Sequence, residues 1–215
     1  MSFPMIYLAS LSPRRKEILS RIGIPFTIIS RTPFNEKLIA ANDPAKYAEN
    51  IARMKIENAI LPDNADGIVV AFDTIVHIDD KILGKPRDED EAKKYLRKLS
   101  GRWHTVYTGV AARKIILPGR DKIVSAVEAT KVLFTELTDD EIDIYVSSGE
   151  PMDKAGAYGI QELGAMLVRK VDGCFYNVVG LPLLCLTDVL SQIMIDRAEI
   201  FMAAISKNKL RPSRK

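Results

Sequence analysis

Side chains suited to handling a phosphate chain recur along this sequence where one segment gives way to the next. Ser10 to Arg15 reads SLSPRR, placing hydroxyls, the free N–H groups of a helix start and two guanidinium groups in one short stretch. Backbone N–H groups at a helix N-terminus and forked guanidiniums both bind oxyanions. The same residues also fit a capping Ser12 with solvated arginines. Gly67 to Asp73 reads GIVVAFD, an apolar run that ends in a carboxylate followed by Thr74. A carboxylate at the margin of a buried strand needs a cation, a proton or hydrogen bonds to offset its desolvation. Asp73 therefore reads as a metal ligand, a general base, or a carboxylate accepting N–H bonds in a turn. In Gly84 to Asp88, GKPRD, Lys85 is placed to reach a phosphate and Asp88 to cap a helix. Glu150 to Gln161, EPMDKAGAYGIQ, crowds small and charged residues, which suits either backbone lying close to a ligand or an ordinary ordered loop. Asn177 to Leu183, NVVGLPL, reads as a strand-to-helix turn.

Other chemistries are excluded by what the sequence lacks. No two glycines stand two apart, so there is no GxGxxG fingerprint, and Gly84-Lys85 runs into Pro86 rather than a P-loop Ser or Thr. His77 and His104 are the only histidines, and Cys174 and Cys185 the only cysteines. A dinucleotide dehydrogenase, a P-loop NTPase, a histidine-bound zinc hydrolase and a disulfide scaffold are all disfavoured.

The positioning elements follow from capping and periodicity. Met5 to Ala9 reads as a first strand, and Ser12-Pro13 opens a helix that Gly23 closes. Phe26 to Ile29 is a second strand, and Asp43-Pro44 starts a helix running to about Ala59. GIVVAFD has the pattern of a central strand, and Asp79-Asp80 a turn within Ile75 to Ile82. A charged helix covers Asp88 to Leu99. Trp103 to Leu117 and Lys122 to Phe134, joined by Pro118-Gly119-Arg120-Asp121, predict a long antiparallel hairpin. Thr138 and Glu141 have capping-box spacing, a strand lies near Met166 to Val171, and one last helix spans roughly Leu181 to Ile205. The class is α/β, a mixed twisted sheet flanked by helices, with two lobes around a central cleft.

At 215 residues, 47% hydrophobic and 27% charged, the chain is long enough for a substantial core and has an ordinary globular composition. The reading is one domain over 1–205 and a basic tail over 206–215. That tail accounts for the net charge of +3, because Lys207, Lys209, Arg211, Arg214 and Lys215 all follow the last acid, Glu199. Without them, 26 cations face 28 acids, which argues against a nucleic-acid-binding surface. No apolar run approaches the ~18 residues of a membrane span. The expectation is a cytoplasmic protein that binds neither nucleic acid nor membrane.

LASLSPRR (Leu8 to Arg15), FDTIV (Phe72 to Val76), GKPRD, EPMDKAGAYGIQ and NVVGLPL, in that order, closely resemble the Maf family. The resemblance implies a nucleoside triphosphate pyrophosphatase with an ITPase-like two-lobed fold, homodimeric and dependent on Mg²⁺ or Mn²⁺. The DKAGAYGIQ segment is similar to the branch acting on dTTP and UTP; a 7-methyl-GTP pyrophosphatase and a non-catalytic nucleotide-binding regulator of cell division are the alternatives. Carried over by motif, Asp73 is the implied catalytic base. Arg14, Thr74 and Gln161 match positions tied to substrate choice, and Ser10, Arg15, Lys55 and Lys85 match polar positions near the triphosphate. Glu36 joins Asp73 as an implied metal ligand, with Asn35 standing where the family often has Asp.

Overall fold

The computed structural model describes residues 3–36, 43–115, 122–193 and 195–209. Seven strands form one mixed sheet: β1 (Ile6–Leu8), β2 (Phe26–Ile28), β3 (Ile68–Ile78), β4 (Lys81–Leu83), β5 (Trp103–Lys114), β6 (Ile123–Phe134) and β7 (Val168–Asp172). The order is β2-β1-β3-β5-β6-β7, with β4 added to β3. β1 lies parallel to both its neighbours, whereas β3, β5, β6 and β7 run antiparallel in succession.

The edge of β3 that faces away from β5 is shared by two short partners. β1 pairs with Ile68, Val69 and Val70, and β4 pairs with Val76, His77 and Ile78. Among the described residues no strand covers that edge between them, so the sheet opens where Asp73 and Thr74 sit. Asp73 is thus in the middle of β3 and not at its end, as the sequence reading had it. The ladder to β5 continues through it, pairing Asp73 with Gly109 and Thr74 with Thr108, so the backbone has no reason to turn there.

Helices cover both faces and divide the core along the long strands. α1 (Pro13–Ile22) and α6 (Leu183–Ser191) pack Ile18, Leu19, Leu186 and Val189 against Leu8, Val70 and Phe72. α2 (Pro44–Glu57) covers the other face with Ala52 and Ile56 on Val69, Ala71 and Ala111. Beyond the opening, α3 (Glu89–Leu99) and α4 (Asp139–Ser147) close a separate core around Val76, Leu96, Val106, Phe134 and Tyr158. β3, β5 and β6 run through both halves, which makes the two lobes of one continuous sheet.

Local signals place most of these elements. Asp43 caps α2 by accepting from the Ala45 N–H at 2.9 Å, Asp88 caps α3 by accepting from the Glu91 N–H at 2.8 Å, and Thr138 with Glu141 forms the reciprocal capping box of α4. Asp79 and Asp80 take positive φ values of 48° and 56° in the β3–β4 turn, a conformation that short acidic side chains tolerate. The expected turn at 118–121 lies outside the described residues, but its flanking strands pair along their length.

Three expectations need correction. Ser12 stands at the N-cap position of α1 without a side-chain capping bond; its own N–H donates to Ser10 Oγ at 3.3 Å. NVVGLPL contains no strand: Asn177 lies in the short helix α5 (Phe175–Val179), which Gly180 closes at φ 102°. The single last helix expected over Leu181 to Ile205 is two segments, α6 and α7 (Arg197–Lys209). α5 is already closed by Gly180 ahead of that stretch, and Asp196 accepts from the Ala198 N–H at 3.0 Å and restarts the chain as α7. α7 continues to Lys209, into the stretch read as tail.

α2 lies unusually close to the sheet because β5 carries glycine beneath it. A Cβ at Gly109 would fall 2.1 Å from the Ala48 carbonyl oxygen, so Gly109→Ala must lift the helix. We expect a cost of about 1–3 kcal/mol from such overpacking, a fall in Tm of about 2–4 °C per kcal/mol. An unchanged thermal unfolding curve would contradict this seating. In the other lobe, buried His104 meets Tyr158 Oη through Nε2 at 2.8 Å, and burial pushes its pKa down to about 4. Between pH 6.5 and about 4 the unfolded chain therefore binds the extra proton, and stability falls as pH is lowered through that window. The loss is on the order of 3 kcal/mol. Urea unfolding of His104→Gln should show a flatter stability–pH profile across it; an identical profile would contradict the assignment.

Candidate active site

The opening in the sheet leads into a groove of about 890 Å³, a size typical of small-molecule sites. Ser10, Arg14, Arg15, Glu36, Lys55, Asp73, Thr74, Lys85 and Gln161 all line it. Every candidate residue from the sequence is therefore brought to one cavity, although they are scattered from position 10 to position 161. Among the described lining residues, Arg14, Arg15, Arg31, Lys55, Lys85 and Lys154 face Glu36, Asp73, Asp153 and Glu162. The excess of cations suits a polyanion.

At the floor, Lys55 Nζ donates to Asp73 Oδ1 at 2.5 Å and to the Phe72 carbonyl at 3.2 Å. The Phe72 carbonyl lies in the stretch of β3 with no strand neighbour on that edge, so the ammonium satisfies a backbone acceptor as well as a carboxylate. Both side chains are largely buried, at 11% and 15% exposure. Burial pushes the Lys55 pKa down, while Asp73 opposes that shift. The sequence carried a signal for this position: Lys55 interrupts the buried stripe Ala48, Ile51, Ala52, Ile56 of α2, and a charge on an apolar helix face needs a partner. Asp73 Oδ2 has no hydrogen-bond partner among the described residues and is left for the groove.

Arg15 acts as a strut beside this pair. Its Nε donates to the Gly180 carbonyl at 2.8 Å, Nη1 to Ser10 Oγ at 3.0 Å and Nη2 to Thr74 Oγ1 at 3.0 Å. The guanidinium also lies over the Phe72 ring, 5.5 Å from its centroid. Burial lowers its pKa to about 10, so it remains a cation at neutral pH. One side chain thus ties SLSPRR, FDTIV and NVVGLPL together. The chain of hydroxyls behind it has a fixed direction. Thr108 gives its one proton to the Asn177 carbonyl at 3.1 Å, so across the 2.9 Å contact between the two hydroxyls Thr74 must donate to Thr108. Thr74 can therefore only accept from a ligand.

The far wall is the EPMDKAGAYGIQ segment, folded as two 3₁₀ turns, Glu150–Asp153 and Ala155–Ala157. Gly156 in this segment serves packing. Gly156 has φ 70°, and a Cβ on it would lie 2.7 Å from Val76 Cγ2, while its N–H donates to the Gly84 carbonyl at 3.0 Å. That bond brings GKPRD alongside the loop and sets Lys85 in the groove. Arg87 instead pairs with Glu91 on α3.

Two residues that build the site were missed. Glu150 accepts from Tyr145 Oη at 2.9 Å, the Leu163 N–H at 2.9 Å and the Gly164 N–H at 3.1 Å, closing the loop that presents Gln161. Asn177 is fully buried and donates through Nδ2 to the Val106 carbonyl and Thr130 Oγ1. Both act through contacts distant in sequence, which spacing does not reveal.

Comparison with known proteins bears on this arrangement. The Maf-like protein family matches residues 5–193. A dTTP/UTP pyrophosphatase of Carboxydothermus hydrogenoformans is 49% identical over 177 residues, covering 82% of this chain and 92% of that protein. A dTTP/UTP pyrophosphatase of Bacillus cereus is 47% identical over 191 residues, 89% of this chain and 96% of the relative. Among solved structures, a nucleoside-triphosphatase / dITP/XTP pyrophosphatase of Mycobacterium abscessus aligns over 60% of this chain and 74% of its own, with a TM-score of 0.33 and 15% identity. With the five motifs facing one groove and the match running through nearly the whole sheet, the chain belongs to the Maf-like protein family.

Proposed function

We propose that the protein hydrolyses dTTP and UTP between the α- and β-phosphates, releasing the nucleoside monophosphate and pyrophosphate. The observation that carries this reading is the 47–49% identity, over more than four fifths of the chain, to proteins named dTTP/UTP pyrophosphatase. The groove supplies a matching chemistry. A water oxygen bonds to the α-phosphorus, the α–β bridging oxygen leaves with pyrophosphate, and the water's proton passes to the Asp73 carboxylate. Lys55 holds that carboxylate in one orientation through Oδ1, leaving Oδ2 toward the reacting water. Arg14, Arg15, Lys55 and Lys85 surround the phosphates with positive charge, and this electrostatic stabilisation is the larger part of the catalysis.

Glu36 and Asp73 are hard oxygen donors lining one wall of the same groove. Both carboxylates act on the charge of Lys55, and a hard cation held by them would take its remaining ligands from phosphate oxygens and water. Mg²⁺ or Mn²⁺ held there would neutralise phosphate charge and favour attack at phosphorus. Gln161, exposed on the far wall, and Thr74, as acceptor, are positioned for the base or sugar. Among the described residues no helix is long and apolar enough to cross a membrane; a cytoplasmic homodimer goes with the family resemblance.

With Mg²⁺ or Mn²⁺, dTTP and UTP should yield pyrophosphate at higher kcat/KM than 7-methyl-GTP. Orthophosphate as the first product, or preference for 7-methyl-GTP, would contradict the assignment. Asp73→Asn should lower kcat by about 10²–10⁴-fold, the usual worth of general-base assistance. The amide oxygen still accepts from Lys55, so circular dichroism should show a folded variant. Lys55 gives the reaction an alkaline limit. Because burial lowers its pKa, kcat/KM should decline at a pH below the ordinary lysine value of about 10.4 as the cation is lost. Lys55→Arg should move that limb upward, and a limb that stays in place would assign it to another group.

A further inference from the structure

At the mouth of the groove one carboxylate spans the two lobes. Asp153 Oδ2 accepts from Arg14 Nη1 at 3.0 Å, and its backbone carbonyl accepts from Arg14 Nη2 at 3.4 Å. Asp153 Oδ1 accepts from Lys154 Nζ at 2.9 Å. Arg14 belongs to the first turn of α1 in one lobe, and Asp153 to the 3₁₀ turn Glu150–Asp153 in the other. The Lys154 side chain is only 9% exposed and is held further by the Glu150 carbonyl at 2.7 Å, whereas Asp153 is 53% exposed. Two groove cations, Lys154 anchored by the Glu150 carbonyl and Arg14 held through Asp153 itself, therefore share one carboxylate open to solvent.

We propose that Asp153 is a displaceable placeholder for phosphate: it aligns Arg14 and Lys154 across the groove mouth and is exchanged for the oxygens of an entering polyphosphate. Arg14 gives the carboxylate one N–H, through Nη1, and the main-chain carbonyl another, through Nη2, so an entering phosphate oxygen takes the place of Oδ2 on Nη1 while the main-chain contact keeps the guanidinium oriented. Lys154, anchored through the Glu150 carbonyl, keeps its position when the carboxylate leaves. The carboxylate also repels anions that cannot engage both cations together, so the mouth selects for a chain of phosphates over a single one. Asp153 touches no reacting atom in this scheme and is a positioning residue. The proposal rests on the reading that the groove takes a polyphosphate.

The test is calorimetric titration with inorganic tripolyphosphate and with orthophosphate, which needs no turnover. Asp153→Asn should bind tripolyphosphate about threefold to tenfold more tightly, as expected for removal of a partly exposed competing charge pair. It should also lose part of its preference over orthophosphate. Asp153→Glu should restore wild-type affinity, and in an Arg14→Ala background Asp153→Asn should tighten binding by a smaller factor, the part left by freeing Lys154 alone. If the amide variant does not fold, Asp153→Ser carries the same expectation with a smaller side chain. Unchanged or weaker tripolyphosphate binding in the Asp153 variants overturns the proposal, as does an undiminished effect without Arg14. Absence of tripolyphosphate binding by the wild type as well would fail the polyphosphate reading itself and this proposal with it.

Discussion

The site depends on an ion pair buried where a sheet is left incomplete. A carboxylate in the middle of a strand that is apolar on both sides of it is tolerated only with a cation alongside. Lys55 supplies that cation and takes the Phe72 carbonyl as well. Breaking either half would leave a charge or a backbone acceptor unsatisfied in a largely dry setting. The pair also fixes which carboxylate oxygen is left for the groove.

The rest of the architecture serves that arrangement. β1 and β4 stop short of each other on one edge of β3, leaving Asp73 to Ile75 open to the groove. Gly109 lets α2 sink onto β5 directly opposite Asp73, which brings Lys55 within reach. Arg15 then ties the start of α1, the open stretch of β3 and the α5–α6 turn into one rigid floor. Glu150 does the equivalent for the far wall by gathering Tyr145, Leu163 and Gly164. Two cores lie on either side of the opening, so each lobe holds its wall of the groove firmly while the shared strands keep the walls in register.

What could be read from the sequence was local or carried by motif. The caps of α2, α3 and α4, the Asp79-Asp80 turn and the β5–β6 pairing follow from short-range chemistry, and each is present. Ser10, Arg14, Arg15, Asp73 and Lys85 were legible as candidates from residue chemistry, Glu36, Lys55, Thr74 and Gln161 came with the motif resemblance, and all converge on one groove. What escaped depends on tertiary contacts. Asp73 resembles a strand end only because a charge following an apolar run normally marks one; the compensation by Lys55 is invisible until α2 is docked. The packing part of the glycines at 156 and 159 shows only in the fold, where a Cβ on either would strike protein side chains, Val76 and Lys154. The last helix reads as continuous because its apolar pattern persists, while Asp196 accepts from the Ala198 N–H and starts α7 afresh. That Thr74 has no donor left for a ligand shows only in the relay to Thr108 and Asn177.

The central claim is that water held at Asp73 attacks the α-phosphorus of a triphosphate lying in this groove. Hydrolysis of dTTP in ¹⁸O-labelled water, followed by mass spectrometry of both products, tests it most directly. The account predicts label in the nucleoside monophosphate and none in the pyrophosphate. Label in the pyrophosphate would place the attack on the β-phosphorus and contradict it.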